Sequence, residues 1–134
     1  MKKGTAITFT VAAAAGSAIT TFSAGHIALT AAVTGVIALA AAAWRLPRSA
    51  RADIAAVAIL SAASVLLWRL SANMPQLNDD GLNGFSANDW AAPVVTYLFL
   101  SLYADLRPPA DPRRYAQARA LATLASLAVN VITI

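Results

Sequence analysis

The sequence predicts an all-α integral membrane protein: a single-domain bundle of five transmembrane helices, N-terminus inside and C-terminus outside. Three observations carry that expectation. The 134-residue chain is 59% hydrophobic and only 12% charged, with a mean hydropathy of +0.64; soluble domains carry about 25% charged residues. Its apolar residues gather in runs close to the roughly 17–25 residues that cross a bilayer. Its cations collect in the gaps between alternate runs. Strands of a membrane β-barrel would need alternating segments of about 10 residues, and the chain has none.

The first 40 residues after Gly4, from Thr5 to Trp44, hold no charge apart from whatever His26 carries. As one helix at about 1.5 Å per residue they would extend roughly 60 Å, twice the hydrocarbon thickness of about 30 Å. The run must fold back, and Phe22-Ser23-Ala24-Gly25-His26 is where small and polar residues cluster around a glycine that permits a turn. The first two helices are therefore expected at 5–22 and 26–44. A third apolar segment covers 53–68. Residues 71–89 hold Pro75, Asn78-Asp79-Asp80-Gly81 and Asn83-Gly84, the composition of an exposed outer loop. Ser86 and Asp89 have capping-box spacing and open a fourth helix at 90–106, with Pro93 close to its first turn, where a missing N–H matters least. Arg107-Pro108-Pro109-Ala110-Asp111-Pro112 ends it, and a fifth helix runs over 115–134.

Cytoplasmic loops carry excess Lys and Arg. With the N-terminus inside, the inner face receives Lys2, Lys3, Arg45, Arg48, Arg51, Arg107, Arg113, Arg114 and Arg119 against Asp53, Asp105 and Asp111, a net +6. The outer face receives Arg69 against Asp79, Asp80 and Asp89, a net −2. Aromatic anchors fall at the same boundaries: Trp44, Tyr103 and Tyr115 inside, Trp68 and Trp90 outside. The inner cations are placed to contact anionic lipid headgroups, each worth about 1 kcal/mol near the surface. That explains them without nucleic acid, since they are split among short segments beside the membrane. A competing reading concerns the first run. Lys2-Lys3, an apolar stretch and Gly16-Ser17-Ala18 also match a secretory signal, and cleavage there would leave four spans in unchanged orientation.

The same composition excludes much chemistry. There is no Cys, no Glu and one His, so thiolate sites, disulfides and common His/Glu metal centres are closed to a single chain. No cofactor is expected, nor any enzyme activity, because no Ser or Thr has an evident base. An ionisable group deep in hydrocarbon is by default functional, but Asp53, Arg69, Asp105 and Arg119 all lie within a turn or two of expected helix ends. There, long side chains can snorkel to the interface. The Asn78–Gly84 loop offers calcium-like oxygens yet lacks the spacing and closing Glu of an EF-hand. His26, at the outer hairpin, is either a polar turn residue or a sensor of external pH.

Small residues dominate the runs: 34 of 134 are Ala. Ala12/Gly16, Ala31/Gly35 and Ala58/Ala62 are small-xxx-small pairs that let helix backbones approach. Thr8, Thr10, Ser17, Thr20, Thr30, Thr34, Ser61, Ser64, Thr96, Ser101, Thr123, Ser126 and Asn130 supply groups able to bond between helices. Either these serve packing within one bundle, or they drive self-association or line a pore. Eight Arg to two Lys, with so much Ala, suggests a GC-rich bacterial or phage genome. In size and hydropathy, though through no motif, the chain resembles phage holins and the accessory membrane proteins of mobile elements. The expectation is a non-enzymatic multi-pass protein of the bacterial inner membrane, an accessory or scaffold subunit packing against itself or a membrane partner. The alternative is a holin-like pore-former or small permease.

Overall fold

The computed structural model describes residues 21–78 and 86–133. Nearly all of the expected first helix, with Gly16, Lys2 and Lys3, lies outside the described residues, and so does the question of its cleavage. Residues 79–85 of the outer loop lie outside them as well. Every regular element among the described residues is helical: α1 (Ala24–Arg45), α2 (Arg51–Ser71), α3 (Pro75–Asn78), α4 (Ala87–Leu106) and α5 (Pro112–Thr133).

The helix ends follow local chemistry. Ser23 caps α1, its side chain accepting from the His26 N–H at 3.1 Å. At the far end Leu46 N–H closes onto the Ala42 carbonyl, and Pro47, which cannot continue the ladder, turns the chain into α2. The capping box of α4 forms, with the Asp89 carboxylate accepting from the Ser86 N–H at 2.9 Å. Two details depart from expectation. The loop 71–89 contains the short helix α3, opened by Pro75 in the position proline favours. Because α4 starts at Ala87, Pro93 stands in its second turn, where its missing N–H leaves the Asp89 carbonyl without its helical donor.

The four long helices run alternately up and down. Helix α1 packs against α2 and α5, α4 packs against the same two, and α2 meets α5 across the middle. Two of the described helices, α1 and α2, are long and apolar enough to cross a membrane. Helices α4 and α5 have comparable length but carry more polar residues, among them Arg113, Arg114, Gln117, Arg119 and Asn130 on α5.

The interior is built from small residues. Gly35 is the tightest point: a Cβ there would lie 2.9 Å from the Ala62 Cβ and 3.3 Å from the Ala58 carbonyl. Gly35 of the α1 pair Ala31/Gly35 thus meets the α2 pair Ala58/Ala62, which is half-buried. Ala38, Ala42, Ala118 and Ala122 are fully buried around Val57, Leu100 and Tyr115. Many large apolar side chains point the other way. Leu29, Val36, Ile59, Val94, Leu98, Leu102 and Leu124 are all exposed, Ile59 to 66%. Buried with the alanines instead are Thr30, Thr34, Ser61, Ser64, Thr96, Ser126 and Asn130.

Candidate functional site

At the His26 end of the bundle, four helices converge on one guanidinium. Arg69, in the last turn of α2, is 1% exposed, and Asp89, in the first turn of α4, is 4% exposed. Arg69 Nη2 donates to Asp89 Oδ1 at 2.7 Å, Nε to Asn130 Oδ1 on α5 at 2.7 Å, and Nη1 to Asn78 Oδ1 on α3 at 3.3 Å. Asn88 supports the ring, its amide donating to Asn78 Oδ1 at 2.9 Å and to the Ala72 carbonyl at 2.8 Å. Asp89 spends its second oxygen on the α4 cap. An ion pair removed from water is stable only when its remaining donors and acceptors are also met, and here each arm of the guanidinium finds an oxygen.

Snorkelling, the sequence expectation for Arg69, does not describe it. The side chain turns inward because a carboxylate and two amides await it there. Helix-end position alone cannot separate these outcomes. A usable signal was the company of Asn73, Asn78, Asn88 and Asn130, an unusual density of amides for so apolar a chain.

The pair continues into a polar spine. Asn130 Nδ2 donates to the Ser126 carbonyl at 2.6 Å, Ser126 Oγ lies 3.0 Å from Thr96 Oγ1, and Thr96 Oγ1 lies 2.9 Å from Ser64 Oγ. Helices α2, α4 and α5 are thereby joined through hydroxyls at their common centre. Other hydroxyls fold back onto their own helix: Thr34 onto Thr30, Ser101 onto Tyr97 and Thr123 onto Arg119, each donating to the carbonyl four residues earlier. The Ser61 hydroxyl is buried without a partner among the described residues. His26 Nε2 donates to the Thr133 carbonyl at 2.8 Å, and Thr30 Oγ1 lies 3.2 Å from Thr133 Oγ1, tying α1 to α5. Asn73 brackets the chain entering α1, accepting from Thr21 and Phe22 N–H and donating to the Phe22 carbonyl.

The opposite end is basic. Arg48, Arg51, Arg107, Arg113 and Arg114 are all exposed there, and Arg45 bonds Gln117 through Nε at 3.1 Å and through Nη2. Asp53 is buried beneath them, accepting from Tyr103 Oη at 2.8 Å and from the Ala110 N–H at 3.2 Å. It closes the two loops at that end onto each other, beside a cleft of about 240 Å³ lined by Ser49, Asp53 and Arg107. Of the five aromatic anchors, Trp44 and Trp90 are exposed, while Trp68 and Tyr103 are half-buried. Tyr115 is a correction. Its ring is buried in the core and its hydroxyl donates to the Leu100 carbonyl at 2.7 Å, so it cannot serve as an interfacial anchor. The tight α4–α5 approach brings that carbonyl within its reach.

Compared with known proteins, the chain matches no family model, no curated sequence and no solved structure.

Proposed function

We propose that this chain is a five-span protein of the bacterial inner membrane, oriented N-in and C-out. It acts without catalysis, as an accessory or scaffold subunit whose helices pack against a membrane partner or another copy. The observation that carries the reading is the inverted distribution of side chains. Among the described residues, leucine, isoleucine and valine are more often exposed than buried, while alanine, hydroxyls and amides share the interior with Ile27, Val57, Val65 and Leu100. In lipid, close backbone approach and interhelical polar bonds replace the hydrophobic drive. Exposure of so many large apolar groups to water would be an aggregation hazard.

The destination of the hydroxyls favours scaffold over pore. Ser64, Thr96, Ser126 and Asn130 are consumed in contacts between helices, and the clefts at Ser49–Arg107 and at Trp44–Gln117 lie at the rim of the bundle rather than along its axis. The exposed arginines of the basic end, with Arg45, suit a leaflet rich in anionic headgroups.

Because the chain has no Cys, single introduced thiols report topology cleanly. Ser49→Cys and Ala110→Cys should react with a membrane-impermeant maleimide only after the cells are opened, and Gln76→Cys in intact spheroplasts. Equal labelling of all three, or release of the chain by alkaline carbonate, would sink the proposal. Induction that abruptly collapses membrane potential would favour the pore reading instead.

A further inference from the structure

Resting on that membrane reading, we infer that Arg119 is the recognition point for a partner transmembrane helix carrying a carboxylate. The docking surface is the outer seam between α4 and α5. Arg119 lies about 10 Å along α5 from its start at Pro112, at roughly 1.5 Å per residue. Its side chain does not run back to the basic end. Nη1 donates to Ser101 Oγ at 3.0 Å, and Cζ sits 4.6 Å from the centroid of the Tyr97 ring. Tyr97 is midway along α4 and Ser101 one turn nearer its basic end, so the guanidinium is held across the seam, about a third of the way along α5.

Arg119 contrasts with Arg69. Arg69 has a carboxylate and two amides; Arg119 has a hydroxyl and a ring face, and its Nε is buried without a partner. Among the described residues no ion pair reaches it. Asp53 is held by Tyr103 and Ala110, Asp89 by Arg69, and Asp111 by Arg114. Asp105, one turn beyond Ser101 on α4, is exposed and forms no ion pair with Arg119, and residues 1–20 contain no acidic side chain. The Ser101 proton is donated to the Tyr97 carbonyl, so this hydroxyl meets the arginine as an acceptor and positions it.

Beside the cation the seam is open: Tyr97 is exposed and Arg119 itself is only half-buried. Charged groups within spans nearly always face a bundle interior or pair with one another. A cation presented on an outward seam, positioned but not neutralised, has charge complementarity with one kind of occupant. That occupant is an apolar helix bearing Asp or Glu at matching depth. Among the described residues, no carboxylate of this chain forms an ion pair with Arg119; Asp105, in the last turn of α4, is the one nearest along the seam.

The test uses the full chain, labelled at an introduced Gln76→Cys, in phosphatidylcholine vesicles at pH 8. The probe is a synthetic Leu/Ala transmembrane peptide with one Glu about 10 Å from its inner end, with a Gln peptide as control. Association is read by energy transfer. The Glu peptide should associate at least tenfold more tightly than the Gln peptide. Arg119→Gln should abolish that preference, and Arg119→Lys should keep part of it. Equal association of the two peptides with the unaltered chain would overturn the inference, and that comparison needs no variant. Survival of the preference in Arg119→Gln would overturn it too. So would its loss on adding phosphatidylglycerol (a lipid phosphate then being the occupant), or Arg119-dependent transfer between two labelled copies. Failure of the membrane reading shows separately, as a chain that does not float with the vesicles.

Discussion

Arg69 Nη2 and Asp89 Oδ1 lie 2.7 Å apart with both side chains almost wholly buried, so α2 and α4 are joined by a charge pair that has left water. Breaking such a pair from one side strands the other charge, at a cost of about 3–5 kcal/mol. Arg69→Met should lower unfolding free energy by about that amount, measured by denaturing-detergent titration with helix content followed by circular dichroism. Adding Asp89→Asn to it should recover part of the loss, since the amide needs no counter-ion. A double variant as damaged as the sum of the singles would show that the two residues do not act as a pair.

Asn130 tests the same cluster from a third helix. It accepts from Arg69 Nε and donates to the Ser126 carbonyl, linking the charged end to the hydroxyl spine. Asn130→Leu leaves a buried N–H without an acceptor, a penalty of about 1–3 kcal/mol. Ser126→Ala, by contrast, removes one shared hydroxyl contact and should cost about 0.6 kcal/mol, the average for interhelical bonds in lipid. The same titration ranks them, and an equal effect of both substitutions would contradict the ordering.

How much of this was legible in the sequence depends on what each feature requires. Among the described residues the four long helices were, because Pro47, the Ser86/Asp89 box and the proline run after Arg107 act locally on the backbone; the short helix α3 was not. The meeting of Gly35 with Ala62 was half visible: the small pairs stood out, but not that they would meet each other. Which way Arg69, Arg119 and Tyr115 turn was not legible. Asp89, Ser101 and Leu100, the partners that turn them, are 20, 18 and 15 residues away. In helices apolar on nearly every face, hydrophobic periodicity does not say which side is inside. Trp44 and Tyr115 read alike as aromatics near a helix end, yet one is exposed and the other buried.

That contrast gives a paired prediction. Tyr115→Phe keeps the ring in the core but takes the donor from the Leu100 carbonyl, and should cost about 0.5–1.5 kcal/mol of stability. Trp44→Ala alters an exposed ring beneath Arg45 and should leave the unfolding midpoint within error. Its effect should appear in depth instead, as altered quenching of the remaining tryptophans by lipid-borne bromine. If Trp44→Ala proved the more destabilising in micelles, the placement of the two aromatics would be reversed.

Gly35 offers the sharpest test of how α1 and α2 meet. A methyl there would stand 2.9 Å from the Ala62 Cβ, with the Ala58 carbonyl at 3.3 Å. Neither the backbone nor a one-carbon side chain can swing aside, so the helices must separate. Overpacking of this kind costs typically about 1–3 kcal/mol, partly offset by the better helix propensity of Ala, about 1 kcal/mol in Gly's disfavour. Gly35→Ala should therefore be mildly destabilising and Gly35→Val strongly so. Ala62→Gly, which vacates the clashing carbon, should restore Gly35→Ala toward the parent midpoint while doing nothing comparable for a distant overpacked site such as Ala118→Val. Rescue of both, or of neither, would mean that the two helices do not pass through this contact.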